Sequence, residues 1–65
     1  MYKNKIREYR QELNMSMKEL AEKSKISIGY LSHLENGSRA NPSTEVMEKI
    51  AKSLNKTIVQ IFFSK

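Results

Sequence analysis

Apolar residues recur along this chain at helical spacing and almost nowhere in strict alternation. Tyr2, Ile6, Tyr9 and Leu13 are separated by 4, 3 and 4 positions, which predicts one stripe of a helix from about Lys3 to Leu13. Lys3, Arg7 and Arg10 repeat the spacing one position on and lay a basic stripe beside the apolar one. Ser16-Met17-Lys18-Glu19 has the form of a capping box, in which the Ser oxygen accepts from the Glu19 N–H and the Glu carboxylate reaches back. It opens a helix over about 17–24 whose inner face is Met17, Leu20, Ala21 and Ser24, with Ala21 small enough to let a neighbouring helix approach.

Only Lys25 and Ile26 separate that helix from Ser27, which can cap a third over about 28–36, with Gly37 just past its end. Two short helices joined by a three- or four-residue turn have helix-turn-helix spacing. Asn41-Pro42-Ser43 starts a fourth helix, with Ser43 as cap and Val46, Met47, Ile50, Ala51 and Leu54 on its apolar face. Glu45–Lys49 and Glu48–Lys52 are i,i+4 pairs in the favourable order, so these lysines are not counted as partner contacts. Asn55 is a left-handed stop. Thr57-Ile58-Val59-Gln60 is a second capping box, opening a short last helix from Ile58 to about Phe63. The string IVQIFF suits a strand by propensity, but a lone strand has no partner here. The expectation is all-α: five short helices in one compact domain spanning 1–65.

Composition narrows the class. A 65-residue chain buries only about 60% of the surface its unfolded form exposes, so the core is modest. There is no cysteine, hence no disulfide and no thiolate metal site. No apolar run approaches the roughly 20 residues of a membrane span, and MYKNKIREYR lacks the apolar core of a signal peptide. A soluble, cytoplasmic protein is expected. Twelve Lys and Arg stand against seven acidic residues, all Glu, for a net charge of +5. In so small a domain that excess favours a polyanion as partner.

The third helix is where such a partner would be read. If Leu31 and Leu34 face the core, then at ~100° per residue Gly29, Ser32, His33 and Asn36 point away from it. Ile28, Tyr30 and Glu35 lie on the flanks. A capped helix presenting small polar groups outward fits a major groove about 12 Å wide, and its N-terminal end carries the positive end of the helix dipole.

These residues carry a resemblance. SMKELAEKSKISIGYLSHLENG, residues 16–37, resembles the helix-turn-helix of the lambda-repressor/Cro-like (Xre-type) transcriptional regulators. NPSTEVMEKIAKSLNKTIVQIF, residues 41–62, is similar to the two helices that follow in that family. The resemblance covers nearly the whole chain. It implies a lambda-repressor-like DNA-binding domain in a regulator, usually a repressor, that acts as a homodimer on a palindromic operator in double-stranded DNA. It implies base contacts from Ile28, Gly29, Ser32 and His33. It implies phosphate contacts from Arg10 and Met17, from Asn36 and Gly37, and from Ser38, Arg39, Asn41 and Ser43; Tyr30, on the flank of the third helix, either gives its hydroxyl to a phosphate or is simply half-buried. At Met17 the family often has Gln, and a thioether cannot donate a hydrogen bond. Arg10 and Glu35 match a charged pair that sits beside the DNA backbone. Lys25 replaces the glycine usual in the turn, at a cost of about 1 kcal/mol if its φ is positive. A bacterial or phage-encoded, nucleoid-associated protein is implied.

Other chemistries fare poorly. Ser32 and His33 are adjacent, so on a helix they diverge and cannot form a nucleophile–base pair. There is no Asp or Cys and no phosphate-binding glycine loop, so no enzyme is expected, and no cofactor. His33, the single histidine, lacks partners for a metal. Dimerisation is expected through the C-terminal helix at Val59, Phe62 and Phe63, with Phe62 also a core candidate. The competing reading is a protein-interaction module, such as an antitoxin-like or anti-repressor partner, docking through its apolar C-terminus.

Overall fold

The computed structural model describes residues 4–37 and 42–63. Among them are five helices and no strand: α1 (Ile6–Glu12), α2 (Met17–Ser24), α3 (Ile28–Asn36), α4 (Thr44–Leu54) and α5 (Val59–Phe63), a single turn wound in the wider π form. Four of the five starts carry a hydroxyl cap. Ser16 Oγ accepts from Glu19 N at 3.0 Å while Glu19 Oε1 accepts from Ser16 N at 3.0 Å, which completes the capping box. That backbone N–H, followed by the Ser16 side chain, holds the Glu19 carboxyl below the ordinary glutamate range. Ser27 and Ser43 cap α3 and α4 through the Tyr30 and Val46 amides, and Thr57 with Gln60 repeats the box at α5.

α1 begins later than its stripe predicts. Asn4 Oδ1 accepts from the Ile6 N–H at 3.1 Å and starts the helix there, while its Nδ2 donates to the Leu34 carbonyl at 2.8 Å. Tyr2 and Lys3, at the front of the stripe, lie outside the described residues. The far end differs too. Leu13 is 49% exposed and Met15 takes its place in the core. The cause is the turn after α1: Asn14 sits at φ 52° and the Met15 N–H returns to the Arg10 carbonyl, which swings Met15 inward and leaves Leu13 outside.

The core is Ile6, Met15, Leu20, Ala21, Leu31, Leu34, Ile50, Ala51, Leu54, Ile61 and Phe62. α2 packs on both α3 and α4, and α1 on α4 and α5. Ala21 and Ala51, each 5% exposed, present little bulk on the two helices of the α2–α4 pair. Ser24 is buried beside them and donates to Ser53 Oγ at 3.1 Å, which in turn donates to the Lys49 carbonyl. Every buried side-chain nitrogen or oxygen among the described residues is satisfied. Of the two expected pairs on α4, Glu45–Lys49 forms at 3.6 Å and Glu48–Lys52 does not.

Three helix ends use left-handed residues: Lys25 (φ 58°), Gly37 (φ 73°) and Asn55 (φ 58°). Asn tolerates this region and Gly prefers it, but Lys does not. Lys25→Gly is therefore expected to raise stability by up to about 1 kcal/mol. A thermal melt checks this: at about 4–8 °C per kcal/mol for a domain of this size the midpoint should rise by several degrees. An unchanged or lower midpoint means the Lys25 side chain makes a compensating contribution.

Candidate nucleic-acid interface

The α2–α3 turn fixes how α3 is presented. Lys25 ends α2 in the left-handed region, half-buried Ile26 pins the turn to the core, and Ser27 opens the next helix. Leu31 and Leu34 then sink completely into the core. The other side of α3 faces solvent: Ile28 is 50% exposed, and Gly29, His33 and Asn36 are exposed. Ser32 is half-buried, at the edge of this face rather than at its crest. Tyr30 is half-buried and packs its ring against the core from the flank. A Cβ on Gly29 would meet nothing within 4 Å, so no internal contact requires a glycine there.

The other end of α3 is held by α1. The Glu35 side chain has no exposed surface, and Arg10 forks onto it, Nε to Oε2 at 2.8 Å and Nη2 to Oε1 at 3.1 Å. Arg10 Nη1 donates to the Met15 carbonyl at 2.9 Å, and its side chain is only 13% exposed. Engaged on three sides and mostly covered, the Arg10 guanidinium holds Glu35 of α3 against the end of α1. Arg7 was not among the expected site residues, yet it joins the same cluster. Its Nε donates to Glu35 Oε1 at 3.3 Å and its Nη2 to Asn36 Oδ1 at 3.0 Å, and its side chain is 53% exposed. The signal was in the basic stripe, where Arg7 stands one turn before Arg10.

The remaining expected contacts separate into three groups. Met17 is half-buried and packs against the core, where an apolar thioether belongs. The Gly37 N–H bonds back into α3, to the Leu34 carbonyl at 3.2 Å. Ser43 is exposed, and its Oγ already accepts the Val46 N–H, which leaves its hydroxyl proton to donate. Ser38, Arg39 and Asn41 lie outside the described residues. On α5, Phe62 is 4% exposed and belongs to the core, which corrects its expected place in a dimer surface. Val59 and Phe63, at 63% and 62%, face outward. With a period near four residues, the two ends of the turn share one side and Phe62 is turned inward.

Comparison with known proteins agrees with this geometry. Residues 6–61 match the helix-turn-helix family model. The HTH-type transcriptional regulator SinR of Bacillus subtilis is 36% identical over 58 residues, 89% of this chain and 52% of SinR. The HTH-type transcriptional regulator DdrOP3 of Deinococcus deserti is 41% identical over 54 residues, 83% of this chain and 41% of that protein. This chain thus spans about half the length, or less, of these curated relatives. A crystal structure of SinR in complex with DNA superposes with a TM-score of 0.80 at 37% identity, covering 83% of this chain and 86% of that one. The fold, the capped turn between α2 and α3 and the match over 6–61 place the chain in a family: it belongs to the helix-turn-helix proteins of the lambda-repressor-like, Xre type.

Proposed function

We propose that this chain binds double-stranded DNA in a sequence-specific way and regulates transcription, with α3 lying in the major groove. The observation that carries the reading is the two-sidedness of α3: Leu31 and Leu34 fully buried on one side, Ile28, Gly29, His33 and Asn36 open on the other. A helix about 10–12 Å across with its side chains fits that groove. The similarity to a SinR domain crystallised with DNA supports it. Base edges meet Ile28, Gly29 and His33, with Ser32 at the margin. Ser43 and Tyr30 flank the phosphates. The net charge of +5 supplies the sequence-independent attraction. Repression is the natural mode, because blocking a site needs only occupancy. A cytoplasmic, nucleoid-associated location follows from the same reading.

Val59 and Phe63 offer a second copy of the chain a small apolar contact. Two protomers so joined on a palindrome would present their α3 helices about 34 Å apart, one turn of DNA.

Titration of labelled duplexes over a range of salt tests the proposal. The binding constant should fall linearly with salt on a logarithmic plot, and a selected duplex should stay bound at salt that releases random sequence. Equal binding of both rejects sequence reading. No binding at low salt rejects the DNA partner altogether.

A further inference from the structure

We infer that Arg7 is a pre-aligned phosphate clamp at the C-terminal edge of α3, and that its second task is to orient the Asn36 amide. The inference rests on the duplex-DNA reading above and adds Arg7, which that reading does not use. Charge comes first. Arg10 and Glu35 form a closed pair, with side chains 13% and 0% exposed. Arg7 adds a second guanidinium to a carboxylate already forked by the first, so the cluster carries one surplus positive charge. That charge sits on the half-exposed member, bonded to Glu35 at a longer 3.3 Å.

Position comes next. Arg7 Nη2 donates to Asn36 Oδ1 at 3.0 Å, and Asn36 is on the open face of α3. The guanidinium therefore stands at the rim of that face. With α3 in the groove, the rim meets the phosphate wall. Without Arg7 this end of α3 would suit a phosphate poorly, because the C-terminus of a helix is the negative end of its dipole and Glu35 lies there too. Arg7 reverses the sign locally. Its Nη1 makes no hydrogen bond among the described residues, so a donor edge remains for a phosphate oxygen. Two bonds hold the side chain before DNA arrives, which reduces the ordering cost on binding. The same bond occupies Asn36 Oδ1 and leaves the Nδ2 donors for the ligand.

The test is the salt dependence of duplex binding by the full chain, wild type against Arg7→Ala and Arg7→Lys, with thermal melts alongside. Arg7→Ala should reduce the slope of log K against log salt by about 1 for each protomer bound. It should weaken selected and random duplexes by the same factor, roughly tenfold at fixed salt for a lost charge-assisted bond. Arg7→Lys keeps the charge but not the planar fork, so its slope should match the wild type while binding stays weaker. A wild-type slope in Arg7→Ala overturns the clamp and leaves the DNA reading standing. So does a fall in melting temperature with no change in slope, which marks Arg7 as structural only. A loss confined to one duplex sequence also overturns it. If the wild type binds no duplex at low salt, the clamp fails together with the reading beneath it.

Discussion

Glu35→Ala is expected to destabilise the fold by about 3 kcal/mol, the lower end for breaking a buried ion pair by removing one partner. Glu35 has no exposed side-chain surface and Arg10 very little. Removing the carboxylate leaves Arg10 with the Met15 carbonyl as its remaining partner in the cluster. The cost lies in that stranded charge more than in the lost bonds. A domain of 65 residues has only about 3–10 kcal/mol of stability in total. At about 4–8 °C per kcal/mol the midpoint should fall by roughly 12–24 °C. The companion experiment removes both charges, as Arg10→Met with Glu35→Leu. Apolar replacement of a buried pair is often neutral or stabilising, so the double variant should recover most of the loss. A double-mutant cycle by thermal or urea unfolding measures the coupling. A loss below about 1 kcal/mol in Glu35→Ala, typical of a surface pair, would show that Arg10 reaches water easily and that the cluster is superficial.

Ile28→Gln is expected to change which base the protein prefers at one position of each half-site. Ile28 is the first residue of α3, is 50% exposed and is not among the side chains packed against the core. In the groove its natural counterpart is a thymine methyl. Glutamine instead offers a paired donor and acceptor matching adenine, and a good bidentate contact discriminates by about 1–3 kcal/mol, or roughly 5- to 150-fold. Stability should move by less than about 0.5 kcal/mol, as for other surface changes. In vitro selection of duplexes bound by each protein reads the outcome directly. Identical selected half-sites would mean that Ile28 does not face a base, and that discrimination rests on His33 and on DNA shape.

Much of this architecture is local and could be read in advance. Ser16, Ser27, Ser43 and Thr57 act within four residues of themselves, so their caps and the helices behind them are visible as short motifs. Asn55 and Gly37 announce left-handed ends by residue type alone. The Leu13–Met15 exchange was not legible, because helical spacing assumes a helix that continues, and the positive φ at Asn14 breaks the register. The start of α1 was hidden for a different reason. Asn4 answers to Leu34, thirty positions away, and no local pattern records that bond. Distance also explains Arg10 and Arg7. The Arg10–Glu35 pairing follows from resemblance to a family, whereas the basic stripe shows Arg7 beside Arg10 but not its reach across to Glu35 and Asn36. Phe62 reads in the sequence both as a core candidate and as a dimer contact, and its exposure of 4%, against 62% for Phe63, makes it core.

Asn4 and Lys5 hold different helices. The Asn4 side chain grips the last turn of α3 through the Leu34 carbonyl, and the Lys5 N–H grips α5 through the Ile61 carbonyl at 2.8 Å. Two adjacent residues thus tie the last turn of α3 to α5. In the language of linkage, loosening the first turn of α1 releases both grips together. The last turn of α3 and the turn of α5 then share a single local opening equilibrium. A ligand that tightens one of them lowers the population in which the other is loose.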